Sequence, residues 1–146
     1  MKEMYLKSIR AIRFLFYRPL NIKEQLEIAN VLENENYLNL FWKLNQADRQ
    51  HSFEVLNRTK KFSNEKNLLK LSLFHDIGKL KYEFSWLFRI FTELKILKTK
   101  KSLDYINHEE IGYEIIMKKL NEQKFTDFYK DNLLLQKNEI LDITDF

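Results

Sequence analysis

The sequence predicts an all-α protein, folded as a single compact helical bundle over residues 1–146. The chain contains two glycines and one proline, whereas sheet-rich folds need turn residues in number. Apolar residues recur at steps of three and four along most of its length, which is the period of an amphipathic helix. Hydrophobic residues make up 45% of the chain and aromatic residues 14%. This composition supplies a core and argues against disorder.

Composition also excludes several classes of function. The chain has no cysteine, so a metal ion would have to be held by His, Asp or Glu. The net charge of +4 is compatible with a phosphate-bearing substrate, but it is weaker than the basic stripe that nucleic-acid binding needs. The densest lysine cluster, at 95–101, is interpreted as a solvated loop. No uncharged run reaches signal or transmembrane length, which predicts a cytoplasmic protein. A homo-oligomer stays open.

The first 45 residues predict three helices that form an N-terminal extension. Apolar residues at helical spacing predict an amphipathic helix over 3–16. Asn21 is a suitable N-cap for the second helix, with Glu24 three residues later as its capping-box partner. A short apolar helix is predicted over 37–44.

The middle of the chain predicts two helices, of which the second is buried. Asn45 or Asp48 caps the first, which extends to about Phe62. Asn64 is predicted to open the second. Because residues 68–74 are apolar on nearly every face, this helix is expected in the middle of the core.

Gly78, just after this buried helix, is expected at the position where a helix end adopts a left-handed conformation. Three more helices are predicted. One covers 83–97 and is interpreted as core-facing or as a lid, one covers 108–120, and a final one spans 133–143.

The histidines indicate the chemistry. Residue 51 lies in DRQHS, residue 108 lies in NHEEIG, and His75 is followed directly by Asp76. A lone histidine on a helix is usually structural. The pair, however, ends an apolar run, and polar groups beside a core must be paired or must coordinate a metal. A carboxylate at a helix C-terminus is also disfavoured by the helix dipole, and a cation would relieve that.

The segment LFHDIGK at 73–79, with DRQHS before it and YINHEEIG at 105–112 after it, resembles the signature of the HD superfamily of metal-dependent phosphohydrolases. The resemblance covers about residues 47–145. It implies an HD-type helical core and metal ligation by His51, His75, Asp76 and a later aspartate. The register of Thr144-Asp145 favours Asp145 as that ligand, and Asp142 stays open as the alternative because the two can share a helical face.

A ligand set of two imidazoles and two carboxylates suits one divalent ion of Mn, Fe, Co, Ni or Zn, and Mg is also compatible. In this reading Asp76 orients or deprotonates a water, and Lys79 balances phosphate charge as a catalytic and substrate-binding residue. Arg49 is a second candidate substrate contact. His108 is a candidate proton donor, a partner of the metal ligands or a ligand of a second ion.

The resemblance implies hydrolysis of a nucleotide or another small phosphoester. The departure from the family is that residues 109–146 contain no further histidine. That favours one ion, and it leaves open a degenerate HD-fold metal-binding or regulatory module without catalysis. A plain structural or nucleic-acid-binding bundle would require the histidines to be accidental.

Overall fold

The computed structural model describes residues 18–81 and 107–146, and every regular element within them is helical. This confirms the all-α prediction. The predicted helices at 3–16 and 83–97, and the lysine cluster at 95–101, lie outside the described residues. The α-helices are α1 (Ile22–Leu32), α2 (Glu35–Phe41), α3 (Gln46–Thr59), α4 (Lys66–Phe74), α5 (His108–Leu120), α6 (Gln123–Tyr129) and α7 (Glu139–Thr144), with a 3₁₀ helix at Ile77–Lys81 and a π-helical turn at Lys130–Leu134. None of these helices is long and apolar enough to cross a membrane.

Side-chain caps explain where the first helices begin. The Asn21 side chain accepts a hydrogen bond from the Glu24 amide at 2.9 Å, and the Glu24 carboxylate accepts one from the Asn21 amide at 2.8 Å. The predicted capping box of α1 is therefore confirmed. At α3 the cap is Asn45, whose side chain accepts from the Asp48 amide at 2.9 Å, so the choice left open by the sequence falls on Asn45.

Two predicted boundaries in the middle of the chain were wrong. Helix α3 ends at Thr59 and passes into a turn, so it stops before Phe62. Helix α4 is capped by Glu65, whose carboxylate accepts from the backbone amides of Asn67 and Leu68, whereas Asn64 was expected to open the helix. A carboxylate at this end also complements the positive end of the helix dipole.

The single final helix predicted over 133–143 is two elements. The π-helical turn ends at Leu134, and α7 begins at Glu139. Between them, the Asn138 amide donates to the backbone oxygen of Asn132, while the Asn138 side chain accepts from Ile140 at 2.9 Å. A new N-cap at this point begins a separate helix, and apolar spacing alone does not reveal such a cap.

Helix α4 lies in the middle of the core, as its composition predicted. Every residue from 71 to 79 is buried. The Phe74 ring packs against Tyr37 of α2 and Phe125 of α6, with ring centroids 5.9 and 6.0 Å apart. Tilted and edge-on aromatic pairs at such distances add to the free energy gained by burial. The core therefore extends without a break to His75 and Asp76.

Gly78 has a different role from the one the sequence predicted. Neither glycine has a positive φ, so Gly78 is not a left-handed cap. The left-handed residues in the described chain are Glu33 and Asn121, at the ends of α1 and α5. A Cβ on Gly78 would collide with the backbone oxygen of His108. Glycine is therefore needed for the close approach of α5 to the 3₁₀ helix.

We expect Gly78→Ala to lower the free energy of unfolding by about 3 kcal/mol or more, because the obstructing atoms are backbone and cannot rotate away. Urea denaturation measures this value. Glu114→Ala, at an exposed position of α5, is the matched control and should change stability by less than about 0.5 kcal/mol. Equal stability of the two variants would contradict the close packing.

Candidate metal centre

Three distant parts of the chain bring four polar side chains together. His51 lies in the middle of α3, His75 and Asp76 follow α4, and Asp145 follows α7. The exposed fraction of each side chain is 10% or less. We call these four residues the His/Asp cluster.

Three of the four nitrogen-to-oxygen distances inside the His/Asp cluster are close to those between ligands of one ion, and the fourth is longer. Asp145 Oδ1 lies 3.0 Å from the Nε2 atom of His51 and 3.3 Å from that of His75. Asp76 Oδ2 lies 3.9 and 3.5 Å from the same two atoms. Ligand atoms ~2.1 Å from one ion are roughly 3.0 Å apart at right angles and roughly 3.4 Å apart in a tetrahedron. His51, His75 and Asp76 alone already form a buried group able to hold a metal ion.

A backbone hydrogen bond determines which nitrogen His75 presents to the His/Asp cluster. Its Nδ1 lies 2.7 Å from the carbonyl oxygen of Ser72, one turn earlier in α4. A carbonyl oxygen accepts and never donates, so Nδ1 carries the proton. Nε2 is therefore the ring nitrogen that faces the two carboxylates. A ring held through Nδ1 in this way is oriented to bind a metal ion through Nε2.

Asp76 is 1% exposed and has a nitrogen partner at each carboxylate oxygen. Lys79 Nζ lies 2.7 Å from Oδ2, and His108 Nε2 lies 2.9 Å from Oδ1. Burial alone would raise the pKa of Asp76, but the Lys79 ammonium and the neighbouring histidine rings outweigh it. The pKa is held well below its usual value of 3.8, so Asp76 is ionised at neutral pH.

The position of Asp145 is set by contacts between the end of α7 and α3. Thr144 is fully buried, and its hydroxyl lies 3.1 Å from that of Thr59. The Arg58 guanidinium donates to the backbone oxygens of Thr144 and Phe146 at 3.2 and 2.7 Å. These contacts place the Asp145 side chain against the histidines. The alternative of the sequence analysis, Asp142, is exposed to solvent.

Two charged residues beside the His/Asp cluster were missed by sequence reasoning. Lys137 Nζ lies 3.1 Å from Asp145 Oδ2, and its side chain is 31% exposed. Glu109 is half-buried, and burial raises its pKa against the lowering effects of His108 and Lys137. Glu109 lies inside the NHEEIG motif, which was a usable signal. Lys137 lies between two short elements, where no periodic pattern points to it.

A buried phenol lies close to the same group. The Tyr129 side chain is fully buried, and a Cβ on Gly112 would collide with its hydroxyl. No hydrogen-bond partner for this hydroxyl is found among residues 18–81 and 107–146. Burial, followed by the charges of Glu109 and Asp76, raises the pKa of Tyr129 well above its usual range. Tyr129 is therefore a neutral residue at the back of the centre.

The other predicted site residues lie at different distances from the His/Asp cluster. Lys79 and His108 contact Asp76, as described above. Arg49 instead places its guanidinium 5.1 Å from the ring centroid of Trp42. It lines a cavity of about 160 Å³ with Pro19, Leu20, Gln25, Trp42 and Gln46, and this cavity includes no cluster residue. A contact between Arg49 and substrate stays a prediction.

Comparison of the chain with models of protein families, with curated proteins and with solved structures finds no match in any of the three. The class that fold and site define is therefore a helical protein with a buried His/Asp cluster able to hold a metal ion.

We expect the metal-free protein to lose stability as the pH falls below 3.8, the usual pKa of an aspartate. The unfolded chain takes up the proton of Asp76 at that pH, while the folded protein takes it up only at its lowered pKa. Between the two values this one group steepens the decline by at most about 1.4 kcal/mol per pH unit. Urea denaturation from about pH 6 to about pH 2 should show a shallower slope for Asp76→Asn. The exposed Asp142→Asn should keep the wild-type slope, and the same slope in all three proteins would contradict this assignment.

Proposed function

We propose that the protein is a metal-dependent phosphohydrolase of the HD type that acts on a nucleotide or another small phosphoester. The observation that carries the proposal is the convergence of His51, His75, Asp76 and Asp145 at separations that suit ligands of one divalent ion. Mn, Fe, Co, Ni and Zn match this nitrogen and oxygen set best, and Mg is compatible. A cytoplasmic location belongs to the same proposal, because phosphorylated small molecules are used there.

The donor set and its surroundings support an ion site on chemical grounds. The buried Asp76 carboxylate is ionised, because its pKa is held well below the usual value, and His75 directs its Nε2 atom into the same group. When bound, the ion would polarise a phosphoryl oxygen and activate water. The four residues would hold it, and Asp76 would also orient the attacking water through the carboxylate.

The remaining polar side chains have roles that follow from where they lie. His108, 19% exposed and hydrogen-bonded to Asp76, is placed to donate a proton to a leaving group at the more open side of the centre. Lys79 is almost fully buried beside Asp76, so it adds a fixed positive charge near the phosphoryl position. Glu109, half-buried next to His108, is a second candidate for proton transfer, since burial raises its pKa toward neutral pH.

We expect Asp145→Asn to weaken Mn²⁺ binding by at least about tenfold, since loss of partners that only support metal ligands already costs about 10- to 100-fold. Asp142→Asn is the matched control, with the same chemical change three residues away at an exposed position. Isothermal titration calorimetry of the metal-stripped proteins measures both dissociation constants. If Asp142→Asn lost affinity and Asp145→Asn kept it, the assignment of the fourth ligand would be reversed.

We expect His75→Ala and Asp76→Ala each to abolish hydrolysis of phosphoesters, because either change leaves the ion loosely held. The assay uses metal-stripped protein supplied with Mn, Co, Ni, Zn or Mg and a panel of nucleotides and model phosphoesters. Glu114→Ala, at an exposed site on α5, should keep wild-type activity.

Wild-type activity that persists in chelator, or survives in Asp76→Ala, would overturn the metal mechanism. Tight metal binding without hydrolysis of any substrate would instead favour the non-catalytic metal-binding or regulatory module.

A further inference from the structure

Helix α7, which is followed directly by Asp145, is too short to hold that carboxylate in place by itself. The helix has six residues, whereas isolated helices shorter than about 12 residues are only marginally stable in water. Asp145 follows it with φ −86° and ψ 84°, outside the helical region. The direction of the Asp145 side chain must therefore be fixed by contacts with other parts of the chain.

One guanidinium contacts the backbone on both sides of Asp145. Arg58 Nη1 donates to the carbonyl oxygen of Thr144 at 3.2 Å and to that of Phe146 at 2.7 Å. The guanidinium carbon also lies 3.8 Å from the ring centroid of Phe146, within the range of a cation–π contact. Glu54, one turn earlier in α3, lies 3.4 Å from Nη2. Because both residues that flank Asp145 are bound to one planar group, the backbone between them has little freedom to rotate.

Arg58 lies on the face of α3 that also carries His51. The two positions are seven residues apart, which is close to two turns of about 3.6 residues each. His51 Nε2 lies 3.0 Å from Asp145 Oδ1, so the same helix contacts both the carboxylate and the backbone around it. The Thr59 hydroxyl, 3.1 Å from that of Thr144, is a further link between α3 and α7. Movement of α7 away from α3 would therefore separate Asp145 from His51.

We propose that Arg58 is a positioning residue of the metal centre, which holds the backbone on both sides of Asp145 so that the carboxylate stays in place as the fourth ligand. The inference rests on the proposed function, because it needs a metal ion at the His/Asp cluster. A guanidinium has no acceptor atom, so Arg58 does not bind the ion and acts only through Asp145. Loss of partners that orient a metal ligand weakens metal affinity by about 10- to 100-fold.

Removal of the Arg58 guanidinium has opposite consequences for charge and for position. Arg58→Met removes a positive charge, and by Coulomb's law alone this should strengthen the binding of a cation. Loss of the hydrogen bonds to Thr144 and Phe146 instead frees Asp145 and should weaken that binding. We expect the second effect to prevail and to raise the dissociation constant of Mn²⁺ by about tenfold. Calorimetric titration of Mn²⁺ into the metal-stripped proteins measures this change.

A double-mutant cycle with Asp145→Ala separates positioning from a general effect on folding. His51, His75 and Asp76 alone form a group able to hold a metal ion, so Mn²⁺ binding should remain measurable without Asp145. In that background Arg58→Met should change the dissociation constant by less than about twofold, because its effect passes through residue 145. The same tenfold loss in both backgrounds would overturn the positioning role.

Two further variants test which property of Arg58 matters. Lys60→Met removes the same charge two residues later, where Lys60 contacts Glu27 of α1 at 3.7 Å, and it should keep the wild-type dissociation constant. Arg58→Lys keeps a donor for the two carbonyl oxygens and should bind Mn²⁺ more tightly than Arg58→Met. Wild-type affinity in Arg58→Met would overturn the inference and leave the metal site of the proposed function intact. Absence of Mn²⁺ binding by the wild type would overturn the two together.

Discussion

The carboxylate of Asp76 is 1% exposed, and an ionised group at that depth must be paired on each of its oxygens. Among residues 18–81 and 107–146, Lys79 in the 3₁₀ helix and His108 at the start of α5 contact this carboxylate directly. The rings of His51 in α3 and His75 at the end of α4 lie within 4 Å of the same carboxylate. Four helical elements therefore meet at one buried charge, and they must pack so that its partners stay within contact distance.

Two glycines allow these helical elements to approach one another closely. The 3₁₀ helix approaches α5 so closely that a side chain on Gly78 would collide with the backbone of His108, and one on Gly112 would collide with Tyr129. A bulkier residue at either contact would push α5 outward and draw the His108 ring away from Asp76. Close packing therefore requires glycine at both positions, whereas backbone conformation does not, since neither glycine adopts a left-handed conformation. The same contact brings the phenol of Tyr129 near the centre.

Sequence reasoning predicted the parts of the structure that depend on strong local chemistry. The apolar run at 68–74 marked α4 as the core helix, and the polar pair that ends this run marked the position of the centre. Weaker local signals misplaced the ends of α3 and α4, because several side chains near each end can serve as caps. Lys137 was missed for another reason. It lies in a non-helical connection and contacts Asp145 only because of tertiary packing. The spacing of apolar residues in the sequence does not predict such a contact.

The lysines also bear on how the fold is held without a metal ion. Small metal-dependent domains often fold only when the ion neutralises their ligands. Here Lys79 and Lys137 already form ion pairs with Asp76 and Asp145, so each carboxylate has a cationic partner within the protein. An ion must then compete with ammonium groups for the same carboxylates, which lowers its affinity. The competition is strongest at Lys79, whose side chain is 3% exposed, and weakest at Lys137, whose side chain is 31% exposed.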